Sequence, residues 1–292
     1  MQSTRVLVSM ARLIHLSDLH FGAHDDRLVR AVEDRIDEVK PDLVVISGDF
    51  TQRARTEQFE QACQFLERLK AAGHEVLGVP GNHDVPLYDV LRRFLSPLTR
   101  YRRYIDETLC PFHELPDAAV LGINTARSLT FKDGRINNEQ VAYINQTFAK
   151  TRDAATRILV THHPMFALPV GDGPELGKAI GRQELALGAV ADAGVDLLLA
   201  GHNHRASAHH AKDLVTDAGS ALVVQAGTAT STRLRDEEQS FNLIETGQGE
   251  VTVAVQAWDG KGYASQDATR FVRRGEHWET AGGEQLAEAP EG

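Results

Sequence analysis

Apolar positions along the chain fall into two periods that take turns. "ARLIHLS" (11–17) is a short apolar run suited to a buried strand, and it is followed by Leu28, Val32, Ile36 and Val39, spaced every three to four residues as on a helix. "PDLVVISGDF" (41–50) gives a second strand. "TEQFEQACQFLERLKAAG" (56–73) sets Phe59, Cys63, Leu66 and Leu69 on one helical face and stops at Gly73. "HEVLGVPGNHD" (74–84) returns as a third strand, and the alternation continues through strand 118–125, helix 138–149, strand 157–164, helix 182–193 and strand 195–204. Strands alternating with helices predict an α/β fold whose sheet is largely parallel and covered on both faces. Beyond residue 204 shorter strands follow at 221–227, 240–246 and 250–258. The "GQG" between the last two predicts a hairpin completing a second sheet.

These elements read as one domain over 11–274, with residues 85–115 inserted after the third strand as a rim or cap. Residues 1–10 read as an N-terminal extension in which Met10 is itself a natural start, and the acidic, Gly- and Ala-rich stretch 275–292 is expected to be disordered. With 292 residues and 42% hydrophobic composition the chain can bury a sizeable core. No apolar run approaches the ~18 residues of a membrane span, and the first residues lack a signal-peptide core, so a cytoplasmic protein with no membrane partner is expected. The two cysteines, Cys63 and Cys110, are expected to be buried thiols rather than a disulfide framework. A net charge of -10 weighs against the broad basic surface of a duplex-DNA binder, so no stable nucleic-acid partner is expected. A small anionic substrate at a local positive site stays compatible with that charge, and so does a homo-oligomer.

The chemistry gathers at the strand ends. They carry Asp18-Leu19-His20, Gly48-Asp49, Gly81-Asn82-His83-Asp84, His162-His163-Pro164 and Gly201-His202-Asn203-His204. In parallel α/β sheets ligands collect beyond the carboxyl ends of the strands, so the five clusters are expected to converge. Together they offer carboxylates, an amide oxygen and several imidazoles, a mixed N/O set that suits Mn, Fe, Co or Zn better than Mg or Ca. Six or seven donors exceed what one ion takes, which points to two divalent or transition metal ions bridged by a shared group. The one-residue spacing of Asp18/His20 and of His202/His204 sends each pair to one side of an extended segment. Asp84 is expected to orient His83 by accepting its other ring N–H.

In this order, the D-x-H, G-D, G-N-H-D, H-x-P and G-H-x-H series resembles the calcineurin-like metallophosphoesterase superfamily, over roughly residues 11–258. The resemblance implies a four-layer α/β/β/α sandwich of two mixed sheets. It implies Asp18, His20 and His204 on one metal, Asn82, His162 and His202 on the other, and Asp49 bridging them. His83 would be the acid at the leaving group, and His163 a supporting residue beside the ligand His162. A hydroxide bridging two ions would attack phosphorus in line, making the chain a metal-dependent phosphoric ester hydrolase. "HLSDLHFG", "GDFTQRARTEQFEQA" and "GNHDVP" look most like the bacterial class III cyclic nucleotide phosphodiesterases, which implies a small diester substrate such as a 3′,5′-cyclic nucleotide. A glycerophosphodiesterase or another phosphoesterase of the superfamily is the alternative, and a non-catalytic metal-binding scaffold the remote one. The rim segment interleaves Arg92, Arg93, Arg100, Arg102 and Arg103 with Phe94, Tyr101 and Tyr104, fit either to hold phosphate and base or to form a solvated helix. The Pro- and Gly-rich stretch 164–183 is a second rim segment, and His24 a rim residue; His15, His74, His113, His209, His210 and His277 are read as structural.

Overall fold

Strands that read as continuous apolar runs do so because both of their faces are covered. In β1 (Ala11–Leu16) Leu13 points into one core while Ile14 and Leu16 point into another. In β2 (Leu43–Ile46) Leu43 and Val45 join the core of Leu13, and Val44 and Ile46 that of Ile14. The computed structural model in which this is seen describes residues 10–128, 133–151, 156–167, 179–202, 207–210, 221–232, 238–247, 249–275 and 277–284.

The strands pair into two mixed sheets packed face to face. One runs β13 (His277–Glu284), β12 (Tyr263–Arg274), β11 (Glu250–Trp258), β10 (Ser240–Gly247), β1, β2 and β3 (Val76–Gly78). The other runs β4 (Phe112–Glu114), β5 (Ala118–Gly122), β6 (Thr156–Val160), β7 (Leu197–Ala200), β9 (Leu222–Gln225) and β8 (Ser207–His210). Strands β1, β2 and β3 are parallel, as are β5, β6, β7 and β9; antiparallel strands complete both sheets. Leu13, Val45, Val120, Ile158, Leu199 and Val253 fill the layer between the sheets.

Helices close the two outer faces. Helix α1 (Asp26–Val39) starts where the Asp25 carboxylate accepts the Arg27 amide, and buries Leu28, Val32 and Ile36 with α2 (Thr56–Ala71) against the first sheet. Helix α5 (Asn138–Phe148) is opened by a reciprocal cap between Asn137 and Gln140, and packs with α6 (Gln183–Asp192) on the second. The result is the four-layer α/β/β/α sandwich. Among the described residues no helix is long and apolar enough to cross a membrane.

Three readings of the sequence change. The β10–β11 hairpin does not complete the second sheet; β10 pairs antiparallel with β1 and extends the first. The stretch expected to be disordered from residue 275 is in part β13, paired along β12, with Trp278 buried between exposed His277 and Glu279. One inward side chain among polar outward ones suffices for an edge strand, which is why composition hid it. Residues 1–9 and 285–292 of the two expected tails lie outside the described residues. Third, Cys63 and Cys110 are free but only half-buried, and the Cys63 thiol meets the Glu67 carboxylate at 3.7 Å.

The insert after β3 forms α3 (Val90–Leu95) and α4 (Thr99–Tyr104). Much of its aromatic and basic content is committed to holding it in place. Arg93 is buried and donates to the Ser128 and Pro86 carbonyls, and Arg100 donates to Ala54 O. Tyr101 is buried edge-on to Phe50 and Tyr104 stacks on Phe59. Tyr88, Val90, Leu91, Phe94 and Leu95, in contrast, are exposed.

Candidate metal centre

Every parallel strand of both sheets ends on the same side, and the loops that leave those ends bring the sequence clusters together. Main-chain hydrogen bonds continue the β1–β2 pairing past the strands, from Asp18 N to Gly48 O, His20 N to Asp49 O and Phe21 N to Phe50 O. Across the gap between the sheets, His162 donates from Nδ1 to the Ser47 carbonyl at 2.7 Å. That bond fixes the tautomer and leaves Nε2 as the atom facing the centre. The His202 amide donates to Asp18 Oδ2 at 3.0 Å, tying the end of β7 to the end of β1.

Two glycines are required by the resulting closeness. A side chain at Gly81 would land on the Asp49 carboxylate and its main-chain amide, and one at Gly201 on the Ser17 hydroxyl and the Asp18 carboxylate. The backbone is also bent out of its ordinary range at the donors themselves: Asp18, His20, Asp49 and His202 have φ of 53°, 50°, 54° and 72°. Left-handed geometry of this kind costs of order 1–3 kcal/mol per residue and persists where the surroundings enforce it, commonly at functional sites.

Asp49 sits at the middle. Its Oδ1 accepts the His83 amide at 2.8 Å, while Oδ2 lies 3.3 Å from His162 Nε2 and 4.0 Å from His20 Nε2. His20 Nε2 is in turn 3.5 Å from Asp18 Oδ1. Asn82 Oδ1 lies 3.1 Å from both His162 Nε2 and His202 Nδ1. Ligand atoms of Asp18, Asp49 and His162 fall within 4.8 Å of one another, as do those of His162, His163 and His202, so His162 belongs to two neighbouring donor groups. His163, read from the sequence as a supporting residue, is held by Thr125 Oγ1 at 2.8 Å from its Nδ1. His204 and Asn203 lie outside the described residues, as do residues 168–178 of the second rim segment.

The charge balance suits a cation. Burial favours the uncharged forms, but Asp49 and Asp18 outweigh it and push the His162 pKa up to about 9, and His20 moves upward for the same reasons. Asp49 is likewise held well below the usual carboxylate range, its burial outweighed by His162, His83 and His20. Two buried carboxylates thus demand positive charge, which protonated imidazoles or metal ions can supply. The donor set, free of thiolates and mixing carboxylate, amide and imidazole, fits transition-metal ions.

Asp84 does something other than what the sequence suggested. It does not accept a ring N–H from His83. Its oxygens accept the amides of Thr51 at 2.9 Å, Phe50 at 3.2 Å and Gly81 at 2.9 Å, and the Thr51 hydroxyl at 3.0 Å. Asp84 therefore clamps the loop after β2 to the loop after β3. Burial, reinforced by the Asp49 charge, raises its pKa to about 6 despite those donors. The acceptor for His83 is the carbonyl of Gln52, 2.7 Å from Nδ1, and the His83 ring stands edge-on to His20 at 4.9 Å. Sequence reading missed Gln52, together with Thr228, whose hydroxyl donates to Asp18 O at 2.8 Å. No spacing rule marks residues that act through main-chain carbonyls. His24 packs on Phe21 and accepts the Gly22 amide, and His15 is buried against Ser47 Oγ with its pKa lowered by burial to about 3, a structural histidine as expected.

A four-layer sandwich with carboxylates and imidazoles gathered at its joined strand ends is the architecture of a metal-dependent phosphoric ester hydrolase. Residues 11–206 match the calcineurin-like phosphoesterase family, and the chain belongs to that family. It is 24% identical over 211 residues to a probable cyclic nucleotide phosphodiesterase of Synechococcus, a match covering 66% of this chain and 73% of that protein. It is also 25% identical over 178 residues to a glycerophosphodiester phosphodiesterase of Enterobacter lignolyticus, covering 55% and 58%. Among solved structures it resembles a purple acid phosphatase from yellow lupin seeds, with a TM-score of 0.69 at 14% identity. That superposition covers 90% of this chain and 54% of the phosphatase, and it bears on the fold alone.

The Asp84 clamp has a measurable consequence. In Asp84→Asn an NH2 group replaces one oxygen and meets donors whichever way the amide turns, because each oxygen accepts at least two. Urea unfolding of Asp84→Asn should show a loss of roughly 1–3 kcal/mol; an unchanged midpoint would mean that the two loops hold without the clamp.

Proposed function

We propose that this chain is a dinuclear phosphodiesterase, with Asp18, His20 and His204 holding one ion, Asn82, His162 and His202 the other, and Asp49 shared between them. The observation that carries this reading is the position of Asp49 Oδ2, within 4.0 Å of Nε2 of both His20 and His162. A pair of ions so held, drawn from Mn, Fe or Zn, would supply Lewis acidity toward the phosphoryl oxygens and lower the pKa of the attacking water.

The chain's own groups do the rest. Asp49 keeps both donor groups in register through one carboxylate whose other oxygen is fixed by the His83 amide. Asp84 sets the spacing of the two loops that carry Asp49, Asn82 and His83. With Nδ1–H held by the Gln52 carbonyl, His83 in its protonated form has Nε2–H left to give to a departing oxygen. Its edge-on contact with His20 sets it at the border of the proposed metal donors, which supports a role at the leaving group. A positioned acid of this kind contributes typically ~10²–10⁴-fold. Two likenesses, to a probable cyclic nucleotide phosphodiesterase and to a glycerophosphodiester phosphodiesterase, favour a diester over a monoester; 3′,5′-cyclic nucleotides are the first substrates to try.

Asp49→Ala should bring the metal content, read by plasma mass spectrometry, to one ion per chain or none. Two ions and ordinary activity in that variant would remove Asp49 from the bridging role. His83→Ala should keep both ions and lose far more turnover on esters with alkoxide leaving groups than on those releasing p-nitrophenolate, which departs without a proton. Equal losses on both would leave His83 as a phosphate-orienting residue. The reading as a whole is tested by kcat/KM for bis(p-nitrophenyl) phosphate, p-nitrophenyl phosphate, 3′,5′-cyclic AMP and glycerophosphodiesters under one metal condition. Diesters should exceed the monoester, and a monoester turned over faster than every diester would contradict the proposal.

A further inference from the structure

Beside His83 and the turn that follows His20 lies a groove that the proposed reaction leaves unused. Its inner part is a cavity of about 230 Å³ lined by Gly22, Ala23, Gln52, Arg53, Arg55 and Gln58. It shares Gly22, Arg55 and Gln58 with an outer part of about 610 Å³ that is also lined by Glu57, Gln61 and Arg100. In a chain of net charge -10, the inner cavity holds two arginines and no carboxylate.

Neither of these arginines is neutralised by a neighbouring acid, a state that some of the chain's other arginines share. Arg12, Arg27, Arg35, Arg68, Arg92, Arg270 and Arg273 each pair with a carboxylate. Arg53 and Arg55 pair with none among the described residues; the Arg53 guanidinium rests over the Tyr88 ring at 5.8 Å, and Arg100 is held by the Ala54 carbonyl. Stacking and a carbonyl orient a guanidinium without neutralising it.

Gln52 joins this groove to the chemistry. Only 8% exposed, it touches His83 twice, with its carbonyl 2.7 Å and its side-chain amide 3.2 Å from Nδ1, while the other end of that amide finds no hydrogen-bond partner in the protein. Two guanidinium groups in one cavity free of carboxylates, beside the residue that holds His83, are the complement of a phosphate.

We propose that this groove is a subsite for a second phosphate, carried by the substrate on its leaving-group arm, so that the substrate is a diester bearing a further anionic phosphate rather than a singly charged one. The inference rests on the diesterase reading, and it assigns that site a substrate class.

A matched pair of dinucleotides tests it: ApA, and pApA with a 5′-phosphate on the nucleoside whose 3′-oxygen departs. Hydrolysis of pApA adds water across the P–O3′ bond and yields two molecules of 5′-AMP. With metal-loaded enzyme, kcat/KM for pApA should exceed that for ApA by about tenfold or more, mainly through KM, and the preference should shrink with added salt. Arg53→Ala and Arg55→Ala should each remove most of the preference while leaving ApA and bis(p-nitrophenyl) phosphate within about twofold of wild type. Arg53→Lys and Arg55→Lys, with thermal melting to confirm folding, should retain part of it. Equal turnover and equal calorimetric binding of ApA and pApA by the wild type would overturn the subsite, as would a loss spread evenly over all three substrates. Inorganic phosphate altering ApA turnover in the wild type but not in the arginine variants, without a pApA preference, would also overturn it, showing a site for the free anion. If no diester is hydrolysed, the diesterase reading falls, yet tighter calorimetric binding of pApA than ApA that disappears in Arg53→Ala and Arg55→Ala would still establish the subsite.

Discussion

The hydrogen bond from His162 Nδ1 to the Ser47 carbonyl is the point at which the two sheets meet, and the centre is laid out from it. Ser47 follows β2 of one sheet and His162 follows β6 of the other. Bringing imidazole to carbonyl across that seam needs a residue without a side chain next to Ser47, because a Cβ on Gly48 would run into the His162 ring. Once the seam is closed, Asp49 beyond Gly48 faces Nε2 of His162, and the His202 amide reaches Asp18. A carboxylate from one sheet and imidazoles from the other are thereby held in register by main-chain geometry.

That preorganisation is opposed by strain. Four candidate donors sit in left-handed backbone, each at a cost of order 1–3 kcal/mol, and the carboxylates among them are fully buried. What enforces the arrangement is the double-sided core behind it, where Leu13, Val45, Ile158 and Leu199 lie between the sheets while their neighbours Ile14, Val44, Leu159 and Leu198 pack under helices. Close-packed interiors resist displacement, so strands anchored on both faces can hold loops in unfavourable geometry at their ends.

The same double burial explains how much could be read from the sequence. Apolar runs such as "LVVI" and "LLLA" announce covered strands, so the parallel halves of both sheets were legible, and the clusters at the strand ends marked Asp18, His20, Asp49, Asn82, His162 and His202 as candidate donors that the structure brings together. Sheet membership was not, since alternation records which faces are buried and says nothing of which neighbour buries them; hence the misplaced β10–β11 hairpin. Nor was the work of Asp84 or Gln52. Asp84 binds amides, which every residue has, and Gln52 holds His83 through its own carbonyl, so neither leaves a mark in residue type. Edge strand β13 was lost among polar residues because Trp278 turns inward between exposed neighbours.

Between Asp84 and β5 the chain leaves the sheets, forms α3 and α4 with Leu98 and Tyr101 anchored in the core, and returns through β4, which is only the outer edge of its sheet. None of the candidate metal donors lies in that excursion. The centre and its surroundings are consequently separable inheritances: apart from anchors such as Leu98 and Tyr101, this interval has room to change while the seam, the clamp and the donors keep their positions. Variation confined to it would yield enzymes that share one chemistry and differ in what they admit to it.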